Sequence, residues 1–113
     1  MYPKFTAEQI KENGHAFHVF FLEVENAVFV FFGEEPKLGT FSVALPPRGE
    51  GPTTSSVLLG DRNTIVTRIL AERLATAFGK MVLVSTYLKK ISEGEGGPVL
   101  LKLAQKLLEK EIK

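Results

Sequence analysis

Between Phe5 and Leu45 the apolar residues fall into short runs with the spacing of strands, and beyond Asn63 the spacing lengthens to that of helices. Asn13-Gly14 is the strongest hairpin signal, because both residues accept the positive φ of a type I′ turn. It predicts that Phe5 to Ile10 pairs with His15 to Glu23. The same stretch carries a rival signal: Thr6 followed three residues on by Gln9 fits a helical capping box, and Ala7 to Lys11 favours helix. The hairpin is the preferred reading. A turn at Glu25-Asn26 returns the chain as Ala27 to Phe32, and Gly33 and Pro36 stop that pairing. Phe41 to Leu45 and Ser55 to Leu59 are the next strands. Between them Pro46 to Thr54, with Pro46, Pro47, Gly49, Gly51 and Pro52, lacks the donors for a ladder and is expected to be a mobile loop.

Asp61, Asn63 and Thr64 crowd the start of a helix that runs to about Phe78 and stops at Gly79. Ile65, Val66, Ile69, Leu70, Leu74, Ala77 and Phe78 gather on one side of it, Arg68, Glu72 and Thr76 on the other, which predicts a core-facing helix. Met81 to Thr86 is an unbroken apolar and β-branched run suited to a central strand. Glu93 to Gly97 reads as a flexible break before Pro98, which starts a last helix over Val99 to Ile112. The order implies an α+β fold: a six-stranded antiparallel sheet with two helices packed on one face, residues 1–113 forming a single domain.

The strand faces carry a further expectation. Phe17, Val19 and Phe21 point one way and Ala16, Phe20 and Leu22 the other; Val28 and Val30 likewise oppose Phe29 and Phe31. Both faces therefore need cover, and two helices can cover one. The other is expected to lie in a dimer interface, buried by a second copy or a related chain. Alternation does not tell which face meets the helices. Phe17, Val19, Phe29 and Phe31 are the candidates for that contact.

Composition narrows the chemistry. The chain has no cysteine, no tryptophan and a single aspartate, Asp61, against nine phenylalanines, eight of them between Phe5 and Phe41. Disulfides, thiolate nucleophiles and sulfur-ligated zinc are excluded, which points to a reducing compartment. A net charge of +1 argues against nucleic acid. The longest apolar run, Ala27 to Phe32, is far short of the roughly 20 residues that cross a bilayer, and Met1 to Gly14 lacks the apolar stretch of a signal peptide. The expectation is a soluble cytoplasmic protein, also nuclear if eukaryotic, with no membrane partner.

Catalytic and cofactor readings are weak. His15 and His18, three apart on a strand, point to opposite faces and cannot share a metal. Asp61 is better placed to cap a helix than to do chemistry, and Ser55-Ser56 lacks the Gly-x-Ser-x-Gly turn of a hydrolase. Glu95 within Gly94-Glu95-Gly96-Gly97 would repel a phosphate. No enzyme activity and no cofactor are expected. Lys102, Lys106 and Lys110 form one helical stripe, a spacing that costs a few tenths of a kcal/mol per like-charged pair. Glu109 with Lys113 offsets part of this cost. The plain reading is a solvated face with its last lysines set against the helix dipole; the sharper one is a basic ridge for an acidic partner.

Leu58-Leu59-Gly60-Asp61, then Leu70-Ala71-Glu72-Arg73-Leu74-Ala75, then Lys80, Val82, Val84 and Ser85 resemble the core of the proteasome assembly chaperone family in its type 4 form. Phe17-His18-Val19, Leu22, Gly33, Pro36, Leu38 and Ser42-Val43-Ala44 agree in order, and only the hairpin between Leu22 and Gly33 is longer than in that family. The resemblance implies a six-stranded antiparallel sheet with two helices, no catalysis, dimerisation with a second copy or with a type 3 chaperone, and binding of proteasome α subunits to promote assembly of the 20S α-ring. It also implies that the loop holding Arg48 and Glu50 takes part in partner contacts, and it makes an α subunit the acidic surface for the Lys102, Lys106 and Lys110 ridge. His18 matches a family position and reads as structural. The alternative from the residues is a homodimeric scaffold or regulatory adaptor of the roadblock or longin kind, which would associate with GTPases or membrane complexes and ignore α subunits.

Overall fold

The computed structural model describes residues 2–12, 14–47 and 49–112. Strands β1 (Lys4–Glu12), β2 (His15–Glu23), β3 (Ala27–Gly33), β4 (Thr40–Leu45) and β5 (Thr54–Leu59) precede helix α1 (Thr64–Phe78), strand β6 (Met81–Tyr87) and helix α2 (Glu93–Glu111). The hairpin reading of the first strand holds: Phe5 faces Leu22 and Ile10 faces Phe17 in an antiparallel ladder. Gly14 turns at φ 80°, while Asn13, the other half of the predicted turn, lies outside the described residues. The turn at Glu25-Asn26 is closed by the Val24 N–H donating to the Ala27 carbonyl at 2.9 Å.

One feature of the sheet departs from expectation. The strand order is β1-β2-β3-β6-β4-β5, and β3 runs parallel to β6, so the sheet is mixed rather than antiparallel throughout. The apolar run Met81–Tyr87 does take a central position. It arrives there after α1 has crossed the sheet, entering between β3 and β4, antiparallel to β4 and hence parallel to β3.

Both helices pack on one face. Phe17, Val19, Phe21, Val28, Val30, Phe32, Ala44, Val82 and Val84 point toward them and join Val66, Leu70, Leu74, Leu100, Leu103 and Leu107 in one core. The buried side of α1 is rotated from the predicted one: Val66, Thr67, Leu70, Ala71, Leu74 and Ala75 are buried, while Ile65 and Ile69 are 68% and 44% exposed. The rotation follows from a polar anchor that apolar periodicity cannot see. Thr67 Oγ1 bonds Thr86 Oγ1 of β6 inside the core, which brings Thr67 inward and leaves the two isoleucines over the β5 edge.

The helix starts also differ from expectation. Asp61 does not cap α1; the cap position is Asn63, whose side chain makes no capping bond. The donor at Val66 N is instead satisfied by the Glu93 carboxylate of α2 at 2.8 Å. The stretch 93–97, expected to be a flexible break, is the first turn of α2, with Pro98 inside the helix. Ser92 caps it by accepting from the Glu95 N–H, and Glu93 and Glu95 suit the positive end of its dipole. Gly96 is there for closeness: a Cβ would come within 2.8 Å of Leu88. Burial of the glycine backbone against the core outweighs its low helix propensity.

Candidate functional site: the uncovered sheet face

The helix-distal face of the sheet follows from the registers. Phe20 lies opposite Phe31 and Leu22 opposite Phe29 across β2 and β3; Phe29 and Val43 flank Leu83 of β6; Phe5 sits beside Leu22 at the β1 edge. Partners across a ladder share a face, so these seven side chains form one apolar surface. Five interstrand spacings make the sheet about 24 Å wide. Phe5 is 70% exposed, and Phe20, Leu22, Phe29, Phe31, Val43 and Leu83 are each half-buried, by neighbours within the sheet rather than by helices. At the β1–β3 end the surface hollows into a groove of about 390 Å³ lined by Phe5, Phe20, Phe21, Leu22, Phe29, Phe31 and Pro36. Among the described residues, no ionisable side chain lines it.

Of the four residues expected on this surface, two are not there. Phe17 and Val19 are fully buried under the helices, because they alternate out of phase with Phe20 and Leu22 on the same strand. Phe29 and Phe31 do lie on the uncovered face. Phe20 and Leu22 take the place of the misassigned pair. The alternation marked them, but periodicity carries no sign for the side on which the helices dock.

The lysine stripe is likewise not a free cationic ridge. Lys102 Nζ lies 3.0 Å from the Glu12 carboxylate, and Lys106 and Lys110 reach Glu8 at 3.5 and 2.6 Å. Glu8 and Glu12 are on the helix-facing side of β1, and α2 lies along them. The Lys110 hydrogen bond, helped by the nearby charge of Lys106, holds the Glu8 carboxyl below the usual carboxylate range against the effect of burial. The same hydrogen bond raises Lys110. These charges therefore clip α2 to the edge strand, a role that spacing within α2 alone could not show. Lys113, the expected partner of Glu109, lies outside the described residues.

In the loop between β4 and β5, Glu50 is exposed and Arg48 lies outside the described residues. The loop ends against α1, where Thr53 Oγ1 and Thr76 Oγ1 share a hydrogen bond of 2.6 Å. The Leu58-Leu59-Gly60-Asp61 segment makes the step from β5 to α1. Gly60 sits at φ 90°, and a Cβ there would fall 2.6 Å from Thr40 Oγ1, whose hydroxyl donates to the Arg62 carbonyl. Leu58 and Leu59 are half exposed. His15 and His18 stand on opposite faces, His18 stacked on Phe20 at 6.1 Å.

Two carboxylate contacts were invisible in the sequence. Glu34, just after β3, accepts the backbone N–H groups of Lys89, Lys90 and Ile91 at 3.0–3.1 Å and holds the β6–α2 connection against the sheet. Glu23 pairs with Lys80 at 2.6 Å where both are largely buried. Burial would lower the Lys80 ammonium, but the hydrogen bonds it donates to Glu23 and the Tyr2 hydroxyl outweigh it and leave it raised.

The family model for proteasome assembly chaperone 4 matches residues 16–88, which run from β2 to the end of β6. No curated protein matches significantly. Among solved structures, a chain from the crystal structure of a novel chaperone complex for yeast 20S proteasome assembly superposes with a TM-score of 0.78 at 16% identity, covering 100% of both chains. At that identity the likeness is one of fold.

Proposed function

The chain belongs to the proteasome assembly chaperone 4 family, and from that membership we propose that it acts as a noncatalytic dimeric chaperone that binds proteasome α subunits and promotes assembly of the 20S α-ring. The observation that carries the dimer is the uncovered apolar face, on which Phe5, Phe20, Leu22, Phe29, Phe31, Val43 and Leu83 have no covering layer among the described residues. A second sheet, from another copy or from a type 3 chaperone, is the cover that matches its shape, since sheets pack face to face about 10 Å apart through interdigitated side chains. The helices then face outward. In this reading the chaperone masks surface on an unassembled α subunit and must bind the intermediate more tightly than the finished particle in order to leave it.

The direct test is pulldown of each α subunit, expressed singly, with the chain alone and co-expressed with a type 3 partner, followed by native gels of ring assembly. Binding of at least one α subunit and faster ring formation are expected. Absence of binding to every α subunit in both arrangements refutes the proposal.

A further inference from the structure

The two edges of the sheet are treated very differently. β1 carries Lys4, Glu8, Lys11 and Glu12, and its helix-facing glutamates are clipped by the lysines of α2. Charges of this kind are how natural sheets prevent a foreign strand from pairing at an edge. β5, the other edge, reads Thr-Ser-Ser-Val-Leu-Leu, without a charge or a proline. Ser42 Oγ donates to the Ser56 carbonyl, so Ser56 points its backbone groups toward β4. Pleat alternation then points those of Ser55 and Val57 outward, where no described strand meets them.

Beside this edge lies a groove of about 560 Å³ between β5 and α1, lined by Val57, Gly60, Asp61, Thr64, Ile65, Arg68, Ile69 and Glu72. One end is apolar, with Ile65 and Ile69 overhanging Val57. The other is polar and internally satisfied: Ser55 Oγ donates to Glu72 and accepts from Arg68 Nε. A free strand edge with an apolar trough against a helix is the geometry by which an extended segment is taken up, its backbone continuing the sheet and alternate side chains entering the trough.

We infer that this edge and groove take an extended, apolar-alternating segment of the α subunit, added as a seventh strand beside β5. The inference rests on the proposed chaperone function. The dimer proposed above occupies the uncovered sheet face, whereas this groove is lined by α1 and lies on the helix side of β5. The apolar end selects bulky aliphatic side chains, and the uncharged edge selects a segment without charges at its centre.

The test uses full-length chain and intact, singly expressed α subunits, with affinities measured by titration calorimetry for wild type, Val57→Pro and Ile69→Glu. Proline at Val57 removes an outward N–H, a loss an edge strand tolerates, and Ile69 is exposed enough for glutamate to leave the fold intact. Roughly tenfold or greater weakening in both variants, with unchanged dimerisation, is expected because each leaves a backbone or carboxylate group desolvated and unpaired. Slower amide exchange at Ser55 and Val57 on binding would accompany it. If α subunits bind both variants as they bind wild type, the docking mode is wrong while the chaperone function stands. If Val57→Pro converts a dimer to a monomer, β5 pairs with a second copy and the inference fails. If no α subunit binds wild type, the function and the inference fall together.

Discussion

Phe5→Ala separates an uncovered face from an interface. The phenyl ring is 70% exposed, so its removal should barely touch the fold of the isolated chain. A phenylalanine side chain presents on the order of 200 Å², of which about 140 Å² is therefore still in water and open to burial by a partner. At about 25 cal/mol per Å² this is a ceiling of ~3.5 kcal/mol for each ring. Buried area is recovered only in part as affinity; if half survives, the two rings of a symmetric dimer contribute ~3.5 kcal/mol, a few hundredfold in Kd. Ile65→Ala is the control, since Ile65 is equally exposed, at 68%, but sits on the helix side of the molecule. Sedimentation equilibrium across nanomolar to micromolar concentrations, with thermal unfolding in parallel, reads both quantities. The reasoning is refuted if the two variants shift the dimer constant alike, or if the wild-type chain, alone and with a type 3 partner, is monomeric throughout that range.

Glu34→Ala removes the acceptor for three consecutive N–H groups, which water partly replaces; a loss of about 1–2 kcal/mol is expected, seen as a urea midpoint lower by about 1 M with unchanged slope. Gly60→Ala adds a Cβ at positive φ against Thr40 and should cost about 2–4 kcal/mol in the same assay, whereas Gly94→Ala, with room around it, should be neutral or stabilising. Because the folded state lowers the Glu8 pKa, its stabilisation is complete above the unfolded value of about 4.3 and disappears as pH falls through the folded one. The urea midpoints of wild type and Glu8→Gln should therefore differ at pH 6 and converge toward pH 3; a gap independent of pH would mean that the carboxylate charge is not what clips α2.

Strand positions were readable because alternation and turn residues act locally: Gly14, Glu25-Asn26 and the valine-rich run of β6 each announce themselves. The two-faced phenylalanine pattern was readable for the same reason and led to the uncovered surface. What stayed hidden was set by partners distant in sequence. Phe17 and Phe29 look equivalent until α1 and α2 choose a side. The lysines of α2 look like a free ridge until Glu8 and Glu12, nearly a hundred residues earlier, come beneath them. Ile65 and Ile69 look like core until the Thr67–Thr86 bond turns the helix. The glycines at 94, 96 and 97 look like a hinge because propensity counts backbone freedom and not the space a buried helix start requires.

The position of β6 matters for how the chain comes to be folded. β3 and β4 are each left with one unpaired flank until Met81–Tyr87 slides between them, so the earlier strands form two pieces, β1–β2–β3 and β4–β5, that only a late segment can join. On a ribosome the Ala-Val-Phe-Val-Phe-Phe sequence of β3 would be exposed as an open edge during synthesis of roughly fifty further residues, several seconds at ordinary elongation rates. A member of an assembly-chaperone family thus passes through an aggregation-prone stage of its own. Its yield in cells should depend on how quickly synthesis reaches residue 87, and chains stalled before that point should aggregate rather than persist as partly folded intermediates.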